Sequence, residues 1–345
     1  MSSAQGSDRK FKVAVVGATG AVGAALLEIL AERRFPARSV VALASERSAG
    51  SEVEYGRRKL VVQDLDQYDF AGTDIALFSA GGSTSAKYAP RAAAAGCYVV
   101  DNSSEFRYVE GIPLVVAEVN PEAIAQASEG RIIANPNCST MQMLVALAPI
   151  HRQAGIERIN VATYQSVSGA GRSAMEELGR QTAALLNFQT PQCERFPVQI
   201  AFNVIPQIDR FEDNGYTREE MKMVWETQKI LDPQIRVNAT AVRVPVFYGH
   251  AEAVHLETRD AISADQVRQL LAQAPGVELV DDREPGGYPT PVTHAAGADP
   301  VYVGRIREDL SHPKGLSMWI VADNIRKGAA LNAIQIAELL VEHYL

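Results

Sequence analysis

Residues 11–30, FKVAVVGATGAVGAALLEIL, decide the fold class of this chain. The segment begins with an apolar, β-branched run, passes through closely spaced glycines and continues with helical spacing of apolar residues, which predicts a strand, a tight turn and a helix. Gly17, Gly20 and Gly23 have the spacing GxxGxxG, a variant of the pattern in which backbone N–H groups and a helix N-terminus face a pyrophosphate. We therefore predict a dinucleotide site at the start of the chain.

The residues up to about 137 continue this alternation of short apolar strands with helices. Further strands are predicted by apolar, β-branched runs at 39–45, 74–80, 97–104, 113–120 and 131–137. A helix is predicted over 88–96, YAPRAAAAG. Such βαβ units build a parallel sheet with ligands at the carboxyl ends of its strands. We therefore predict an α/β fold with a Rossmann-type dinucleotide-binding domain over residues 11–137.

The second half of the chain has longer strands in which apolar and polar residues alternate. These strands are predicted at 157–169, 235–249 and 315–324, with a helix at 217–231 and a long Gly- and Pro-rich loop at 280–300. A chain of 345 residues is too long for one ordinary core. We therefore predict an α+β domain over residues 138–326, a last helix over 327–345 that packs back on the first domain, and a flexible leader over residues 1–10.

Composition excludes several classes of protein. Hydrophobic residues make up 47% and charged residues 21%, as in globular proteins. A net charge of -8 argues against nucleic-acid or anionic-membrane partners, and no apolar run approaches the roughly 20 residues of a membrane helix. The three cysteines are an odd number without metal-like spacing. We expect a cytoplasmic protein without a metal site or a membrane or nucleic-acid partner.

The end of the second predicted strand bears on the choice of cofactor. In NAD enzymes an acidic residue here usually holds the ribose 2′-hydroxyl. This chain has Ser45-Glu46-Arg47-Ser48 at that point. Arg47 and Ser48 suit a 2′-phosphate and favour NADP, while Glu46 leaves binding of the hydroxyl open.

Cys138, in NPNCST (135–140), stands directly before a predicted helix. A helix N-terminus favours the thiolate, which is the nucleophilic form of cysteine. The neighbouring Asn135, Asn137, Ser139 and Thr140 are expected to cap the helix and donate hydrogen bonds to an anion. Cys97 fits a buried structural thiol, and Cys193 a loop thiol without a role.

A dinucleotide domain combined with a reactive thiol indicates reduction of an acyl group. The thiolate attacks a carbonyl, a hydride arrives from the cofactor, and a thiohemiacetal collapses to an aldehyde. Histidine is the usual proton carrier near neutral pH. Among the six histidines, His250 is preferred only slightly over His255 and His294, because it closes a predicted strand beside a glycine.

Motifs along essentially the whole chain resemble the aspartate-β-semialdehyde dehydrogenase family. They are, in the family's order, VVGATGAVG, FSAGGS, DNSSEFR, IIANPNCST, TYQSVSGAG, EEMKMVWETQKI, RVPVFYGH, VGRIRED and DNIRKGAALNAIQIAE. The resemblance implies a glyceraldehyde-3-phosphate-dehydrogenase-like architecture with a C-terminal catalytic and dimerisation domain.

The resemblance also implies roles for individual residues. Cys138 matches the nucleophile that forms an acyl thioester, His250 the acid/base, and Gln165 a residue that orients the substrate. Substrate contacts are implied for Arg243 on the α-carboxylate, Glu219 near the ammonium, and Arg107 with Lys222 on phosphate. Cofactor contacts are implied for Gly17, Thr19, Gly20, Ala21, Val22, Arg47, Ser48, Ser168, Gly169 and Asn324. Seven residues separate Arg243 from His250, so both can serve one site only if the chain bends or turns at Tyr248-Gly249.

The activity implied is the reversible, NADPH-dependent reductive dephosphorylation of L-aspartyl 4-phosphate to L-aspartate 4-semialdehyde. This step lies on the route to lysine (through diaminopimelate), threonine and methionine. N-acetyl-γ-glutamyl-phosphate reductase is an alternative with similar chemistry, although its thiol typically sits in NPGCY. A non-catalytic NADPH-binding regulator is a second alternative. We expect a homodimer, with assembly into a tetramer left open.

Overall fold

The computed structural model describes residues 9–345, which form two compact units. Residues 1–8 of the predicted leader lie outside the described residues. Unit 1 comprises the described residues up to Pro113, then Ala123–Asn135 and Ala333–Leu345. Unit 2 comprises Leu114–Glu122 and Pro136–Asn332. No helix within residues 9–345 is long and apolar enough to cross a membrane.

Unit 1 is built on a parallel sheet, as the βαβ pattern predicts. Its strands are β1 (Phe11–Val16), β2 (Ala37–Ala44), β5 (Gln63–Asp64), β6 (Ile75–Phe78), β7 (Tyr98–Asp101) and β8 (Ile132–Ala134), in the order β5-β2-β1-β6-β7-β8. A small hairpin, β3 (Glu52–Tyr55) and β4 (Arg58–Val61), stands beside it. The helices of this unit are α1 (Ala21–Glu32), α2 (Gly82–Ala94) and most of α7 (Leu331–His343). Because β1 and β6 are almost wholly buried, the sheet forms the core of this unit.

Unit 2 contains a mixed six-stranded sheet. Its order is β10-β9-β11-β14-β13-β12, with β9 (Ile156–Gln165), β10 (Arg236–Arg243), β11 (His250–Thr258), β12 (Val277–Leu279), β13 (Val301–Glu308) and β14 (Gly315–Ala322). Strand β11 pairs antiparallel with both β9 and β14. The helices are α3 (Cys138–Ala154), α4 (Arg172–Leu186), α5 (Arg218–Ile230) and α6 (Ala264–Leu271). Helix α3 is buried along most of its length and contacts β9, β11, β13 and β14, so it covers one face of the sheet.

The strand predicted at 113–120 is not formed. The segment is irregular apart from a turn at residues 117–119 and a single bridge residue at Leu114. A side-chain amide takes the place of a partner strand: Asn332 donates to the Val115 carbonyl at 2.9 Å and accepts from the Ala117 N–H at 3.1 Å. A pattern of apolar residues cannot distinguish these two ways of satisfying a buried backbone.

The same contacts explain where the compact units divide. Lys327 forms a buried ion pair with Glu118, so residues 327–332 lie in unit 2 together with Leu114–Glu122. The domain boundaries inferred from the sequence, 11–137 with 327–345 and 138–326, differ from the compact units at residues 114–122, 136–137 and 327–332. They stay a prediction as functional domains.

Candidate active site

Cys138 is the first residue of α3, and Asn137 caps that helix. The Asn137 side-chain oxygen accepts hydrogen bonds from the N–H groups of Ser139 at 3.0 Å and Thr140 at 3.2 Å. The Cys138 side chain is partly exposed at the positive end of the helix dipole. This position favours the thiolate over the thiol.

Two carboxylates of α5 hold the capping residue. The Asn137 amide nitrogen donates to Glu219 Oε1 at 2.8 Å, and its backbone N–H donates to Glu226 Oε2 at 2.6 Å. Glu226 escaped the sequence analysis, although its position seven residues after Glu219 places both on one helix face. The start of α3 is therefore fixed from a second helix.

Glu219 stands in a buried network of polar side chains. Lys222 Nζ donates to Glu219 Oε2 at 2.9 Å, and Gln165 Nε2 donates to Glu219 Oε1 at 3.2 Å. Burial alone would raise the pKa of this carboxyl, but Lys222, the Asn137 hydrogen bond and Arg243 lower it to about 2. Glu219 is thus an anion at neutral pH.

His250 and Arg243 lie on the strands that flank β9 on either side, and Gln165 ends β9 itself. The backbone N–H of Ser166 donates to His250 Nδ1 at 3.1 Å, which places the proton of the neutral ring on Nε2. Nε2 has no hydrogen-bond partner among the described residues. Burial and the nearby Arg243 lower the His250 pKa to about 3, so the ring is neutral at physiological pH.

The side chains of His250 and Arg243 both lie close to Gly169. A methyl group at Gly169 would lie 3.0 Å from Arg243 Nη1 and 3.4 Å from His250 Nε2. Arg243 Nη1 also donates to the Ser166 carbonyl at 2.7 Å. Burial lowers the Arg243 pKa, while Glu219 and Cys138 act in the opposite direction. Cys138 and Glu219 therefore both lie within electrostatic reach of this guanidinium.

Asn324 joins three parts of this site. Its side-chain oxygen accepts from the Gly249 N–H at 3.0 Å, from Ser166 Oγ at 3.0 Å and from Ser168 Oγ at 3.2 Å. The chain turns before His250 with Gly249 at φ +86°, which confirms the turn that the seven-residue gap requires. The expectation that His250 closes a strand is wrong, because this turn makes it the first residue of β11.

Unit 1 has a groove at the predicted dinucleotide turn. It encloses about 400 Å³, and its lining includes Gly17, Thr19, Gly20, Arg47 and Ser48. A Cβ at Gly17 would meet the Ala80 nitrogen at 2.9 Å, so only glycine allows this turn.

Three residues that are close to these in the sequence do not line the groove. Ala21 and Val22 are the first residues of α1 and do not line it. Glu46 does not line it either, whereas its neighbours Arg47 and Ser48 do.

The other predicted residues are distributed as follows. Arg107 is buried in unit 1 and donates to the Asn102 carbonyl at 3.0 Å. The prediction that Asn135 helps to cap the helix is wrong, because its amide donates to Asn102 Oδ1 at 2.7 Å within unit 1. Ser139 and Thr140 contribute backbone N–H groups to the cap, and their buried hydroxyls have no partner among residues 9–345.

The other two cysteines have different environments from Cys138. Cys97 is fully buried, and burial raises its pKa to about 12, as expected of a structural thiol. Cys193 is exposed.

Comparison with known proteins gives consistent matches over both units. Residues 12–127 match the family described as "Semialdehyde dehydrogenase, NAD binding domain", and residues 147–327 match "Semialdehyde dehydrogenase, dimerisation domain". The chain is 60% identical over 337 residues to aspartate-semialdehyde dehydrogenase 2 of Vibrio cholerae, which covers 97% of this chain and 99% of that protein. It is 50% identical over 341 residues to the aspartate-semialdehyde dehydrogenase of Bacillus subtilis, with 96% and 98% covered.

Solved structures show the same relationship. A crystal structure of aspartate semialdehyde dehydrogenase II from Vibrio cholerae, complexed with ASA, superposes with a TM-score of 0.96 at 59% identity, covering 98% of this chain and all of that chain. A structure of the Candida albicans enzyme with NADP superposes with a TM-score of 0.77 at 26% identity, covering 96% and 98%.

Proposed function

The chain belongs to the aspartate-semialdehyde dehydrogenase family, and from this premise we propose that it converts L-aspartyl 4-phosphate reversibly to L-aspartate 4-semialdehyde. The observation that carries the proposal is a single cluster in unit 2: Cys138 at a helix N-terminus, with Gln165, Glu219, Arg243 and His250 joined to it by hydrogen bonds or charge. The reaction consumes NADPH and releases phosphate. It would serve lysine, threonine and methionine biosynthesis in the cytoplasm.

The charges of the cluster suit an amino-acid substrate. Arg243 is buried and offers a planar fork for the α-carboxylate. Glu219 is anionic, and a carboxylate has about four acceptor positions, so it can accept an ammonium beside its existing partners. Lys222 donates to Glu219 and Asp209, which leaves one of its three N–H groups for a phosphate oxygen. We assign Arg107 as the second phosphate ligand.

The groove of unit 1 fits a nicotinamide dinucleotide, with the glycine turn at the pyrophosphate and Arg47 and Ser48 at the 2′-phosphate. We propose NADP(H) as the cofactor because Glu46 does not line the groove. When bound, the cofactor supplies the hydride. We further assign Ser168, Gly169 and Asn324 to contacts near the nicotinamide.

The residues of unit 2 would carry out the acyl chemistry. The Cys138 thiolate attacks the acyl carbon, the bond to the phosphate oxygen breaks, and inorganic phosphate leaves a thioester on Cys138. Gln165 orients the acyl group. After hydride addition, the oxygen of the tetrahedral adduct carries a negative charge, and His250 donates a hydrogen bond to it from Nε2–H, since Nδ1 is occupied by Ser166. This oxyanion re-forms the carbonyl as the carbon–sulfur bond breaks, which releases the aldehyde and the Cys138 thiolate.

The cluster also argues against the two alternative functions. An N-acetylated substrate carries no ammonium, so N-acetyl-γ-glutamyl-phosphate reductase would have no use for the anionic Glu219. A non-catalytic regulator would have no use for Cys138 with its cap and its neighbours Arg243 and His250. We propose a homodimer, with a tetramer left open, because residues 147–327 match a dimerisation domain.

The proposal is tested by following NADPH formation from L-aspartate 4-semialdehyde, phosphate and NADP. Turnover should require phosphate, should be weak with N-acetyl-glutamate semialdehyde, and should be lost in Cys138→Ala. Cys193→Ala is the matched control because Cys193 is exposed and outside the cluster. Undiminished turnover of Cys138→Ala would refute the covalent mechanism, and NADP binding without turnover by the natural chain would favour the regulator.

A further inference from the structure

Glu252 and Gln142 form a second pair of polar side chains beneath Cys138 and His250. Glu252 follows His250 by two residues on β11, so both point to the same face of the sheet. Gln142 follows Cys138 by four residues on α3, so both lie on the same face of that helix. Both side chains are fully buried. Like Cys138 and His250, the pair has one residue on α3 and one on β11, and it lies deeper in unit 2.

Within residues 9–345, no positive charge compensates this carboxyl, in contrast to Glu219. Burial raises the Glu252 pKa well above 4.5, and the facing Gln142 amide opposes that rise only in part. On the flanking strands the residues opposite Glu252 are Thr163 and Ile320, neither of which titrates. Among the titratable groups on the elements around it, Cys138 on α3 and His250 on β11 lie on the same faces as Gln142 and Glu252, and Arg243 and Glu219 lie beyond them. His151 and Arg152 lie in the last turn of α3, and Glu157 at the exposed start of β9. Arg158 and Tyr164 on β9, and His255 and Glu257 on β11, lie on the opposite face of the sheet.

The carboxyl and the amide face each other without completing a hydrogen bond. None of their four polar atoms has a partner in good geometry among residues 9–345. A buried polar group without a partner destabilises the fold, and an apolar pair of the same volume would avoid that cost. A neutral carboxyl and a primary amide are complementary, because each offers one donor and one acceptor to the other. A small movement of α3 against β11 would therefore close two hydrogen bonds.

We propose that Glu252 and Gln142 are positioning residues for the dehydrogenase reaction: the carboxyl and the amide join α3 to β11 and so set Cys138 against His250. This inference rests on the proposed function. It explains why a carboxyl and an amide lie buried between α3 and β11. Neither residue is expected to contact the substrate.

The first test is steady-state kinetics with L-aspartate 4-semialdehyde, phosphate and NADP. Glu252→Leu and Gln142→Leu should each lower kcat roughly tenfold with KM changed less than twofold, because a small misplacement of reacting groups costs rate rather than binding. The double variant should be no slower than either single one. Glu252→Gln should keep kcat within about twofold, because an amide still offers both a donor and an acceptor.

Two controls and two contrary outcomes complete the kinetic test. Glu257→Leu changes the opposite face of β11, and Gln153→Leu changes an exposed position of α3, so both should behave as the natural chain. A natural kcat in Glu252→Leu would overturn the proposal, as would a loss in Glu252→Gln equal to that in Glu252→Leu. Should Glu252→Leu fail to fold, Gln142→Leu carries the same expectation.

The second test reads the protonation state of Glu252 without any substrate. A buried carboxyl with a raised pKa must take up a proton on folding, so the natural chain loses stability as pH rises above 4.5 toward the folded-state pKa. Glu252→Gln lacks this loss. Its Tm advantage should be absent near pH 4 and grow by about 2 °C per pH unit above pH 4.5. A pH-independent Tm difference would contradict a neutral carboxyl.

The two tests separate the inference from the proposed function. If the natural chain shows no turnover, the proposed function fails, while the Tm series still decides the state of Glu252. If the natural chain turns over and Glu252→Leu equals it, the positioning role alone fails.

Discussion

Gly328 lies directly against Cys138: a Cβ at Gly328 would stand 2.8 Å from the Cys138 Cβ and 3.3 Å from its Cα. Gly328 belongs to the π-helical turn Arg326–Ala330, and its N–H donates to the Asp323 carbonyl at 3.0 Å. Only a hydrogen fits between the two backbones.

Replacing Gly328 by alanine should displace Cys138 rather than unfold the chain. We expect kcat to fall roughly 10- to 100-fold, because reacting groups must be held within about 0.5 Å. Stopped-flow labelling of Cys138 with iodoacetamide should slow in parallel. Gly179→Ala, on α4 with open space around its Cβ position, is the control and should change neither rate. Unaltered labelling in Gly328→Ala would show that the contact is not restrictive.

The low pKa of His250 predicts how stability responds to acid. The folded-state pKa is about 3, below the ordinary 6.5, so the folded protein binds fewer protons than the unfolded chain as pH falls below 6.5. The cost of the neutral ring therefore grows from pH 6.5 downward. Below pH 6.5, a His250→Gln variant should have a higher Tm than the natural chain. Above pH 7 it should show no gain in Tm. Differential scanning calorimetry between pH 4.5 and 8 measures this difference.

The same low pKa predicts a feature of catalysis. In the pH profile of kcat/KM, which reports the free enzyme, His250 should cause no inflection near pH 6.5. The His250→Gln variant should therefore lose no inflection there. His255→Gln is a control, because His255 lies on the same strand but on its opposite face. An inflection near 6.5 that is lost with His250 would mean that the ring titrates normally.

Glu219 should stabilise the fold with the opposite pH dependence. Its folded-state pKa is about 2 and its ordinary value 4.5, so its contribution is complete above pH 4.5 and is lost as pH falls toward 2. Glu219→Gln should lower the stability of unit 2 at pH 7 by roughly 2–4 kcal/mol, since Lys222 would lose its buried partner.

Urea unfolding at pH 7 and pH 3 measures that difference. Glu176→Gln, at an exposed position of α4, is the control. The same Glu219 variant should raise KM for the semialdehyde, because it no longer attracts an ammonium. An equal loss of stability at both pH values would argue against an ionised Glu219.

Arg47 should discriminate between the two dinucleotides. Arg47→Ala is expected to raise KM for NADP about 10- to 100-fold, the value of a charged hydrogen bond, and to leave KM for NAD unchanged. Arg57→Ala is the control, since Arg57 is exposed and does not line the groove. Equal changes in both KM values would mean that Arg47 does not read the 2′-phosphate.

Local patterns predicted much of the fold because they reflect local forces. The glycine turn at 17–23 and the strands of unit 1 follow from steric limits and burial within a few residues, and the structure confirms them. The prediction for segment 113–120 failed because side-chain amides replace a partner strand there: Asn120 within the segment, and Asn332 more than 200 residues away. His250 was placed at the wrong end of a strand because residues 244–249, which leave the sheet and turn at Gly249, continue the apolar pattern of β10.

The candidate site was predictable in part. Cys138 could be inferred from its position before a helix, and its Asn137 cap follows from the same short motif. Gln165 and Glu219 came only from a family resemblance, since neither residue has distinctive local chemistry. Ser166 escaped the sequence analysis because its bonds to His250 and Asn324 cross 84 and 158 residues. Such pairings depend on tertiary structure and leave no local signal.

Helix ends ordinarily fray, yet the capping residue of α3, Asn137, is also bound to two carboxylates of α5, through its side-chain amide to Glu219 and through its backbone N–H to Glu226. Opening the first turn of α3 would break four hydrogen bonds at Asn137 together. The amide hydrogens of Ser139 and Thr140 should then exchange with solvent as slowly as those in the middle of a helix. The sulfur would consequently occupy one position before any ligand arrives, so binding need not spend energy on ordering it.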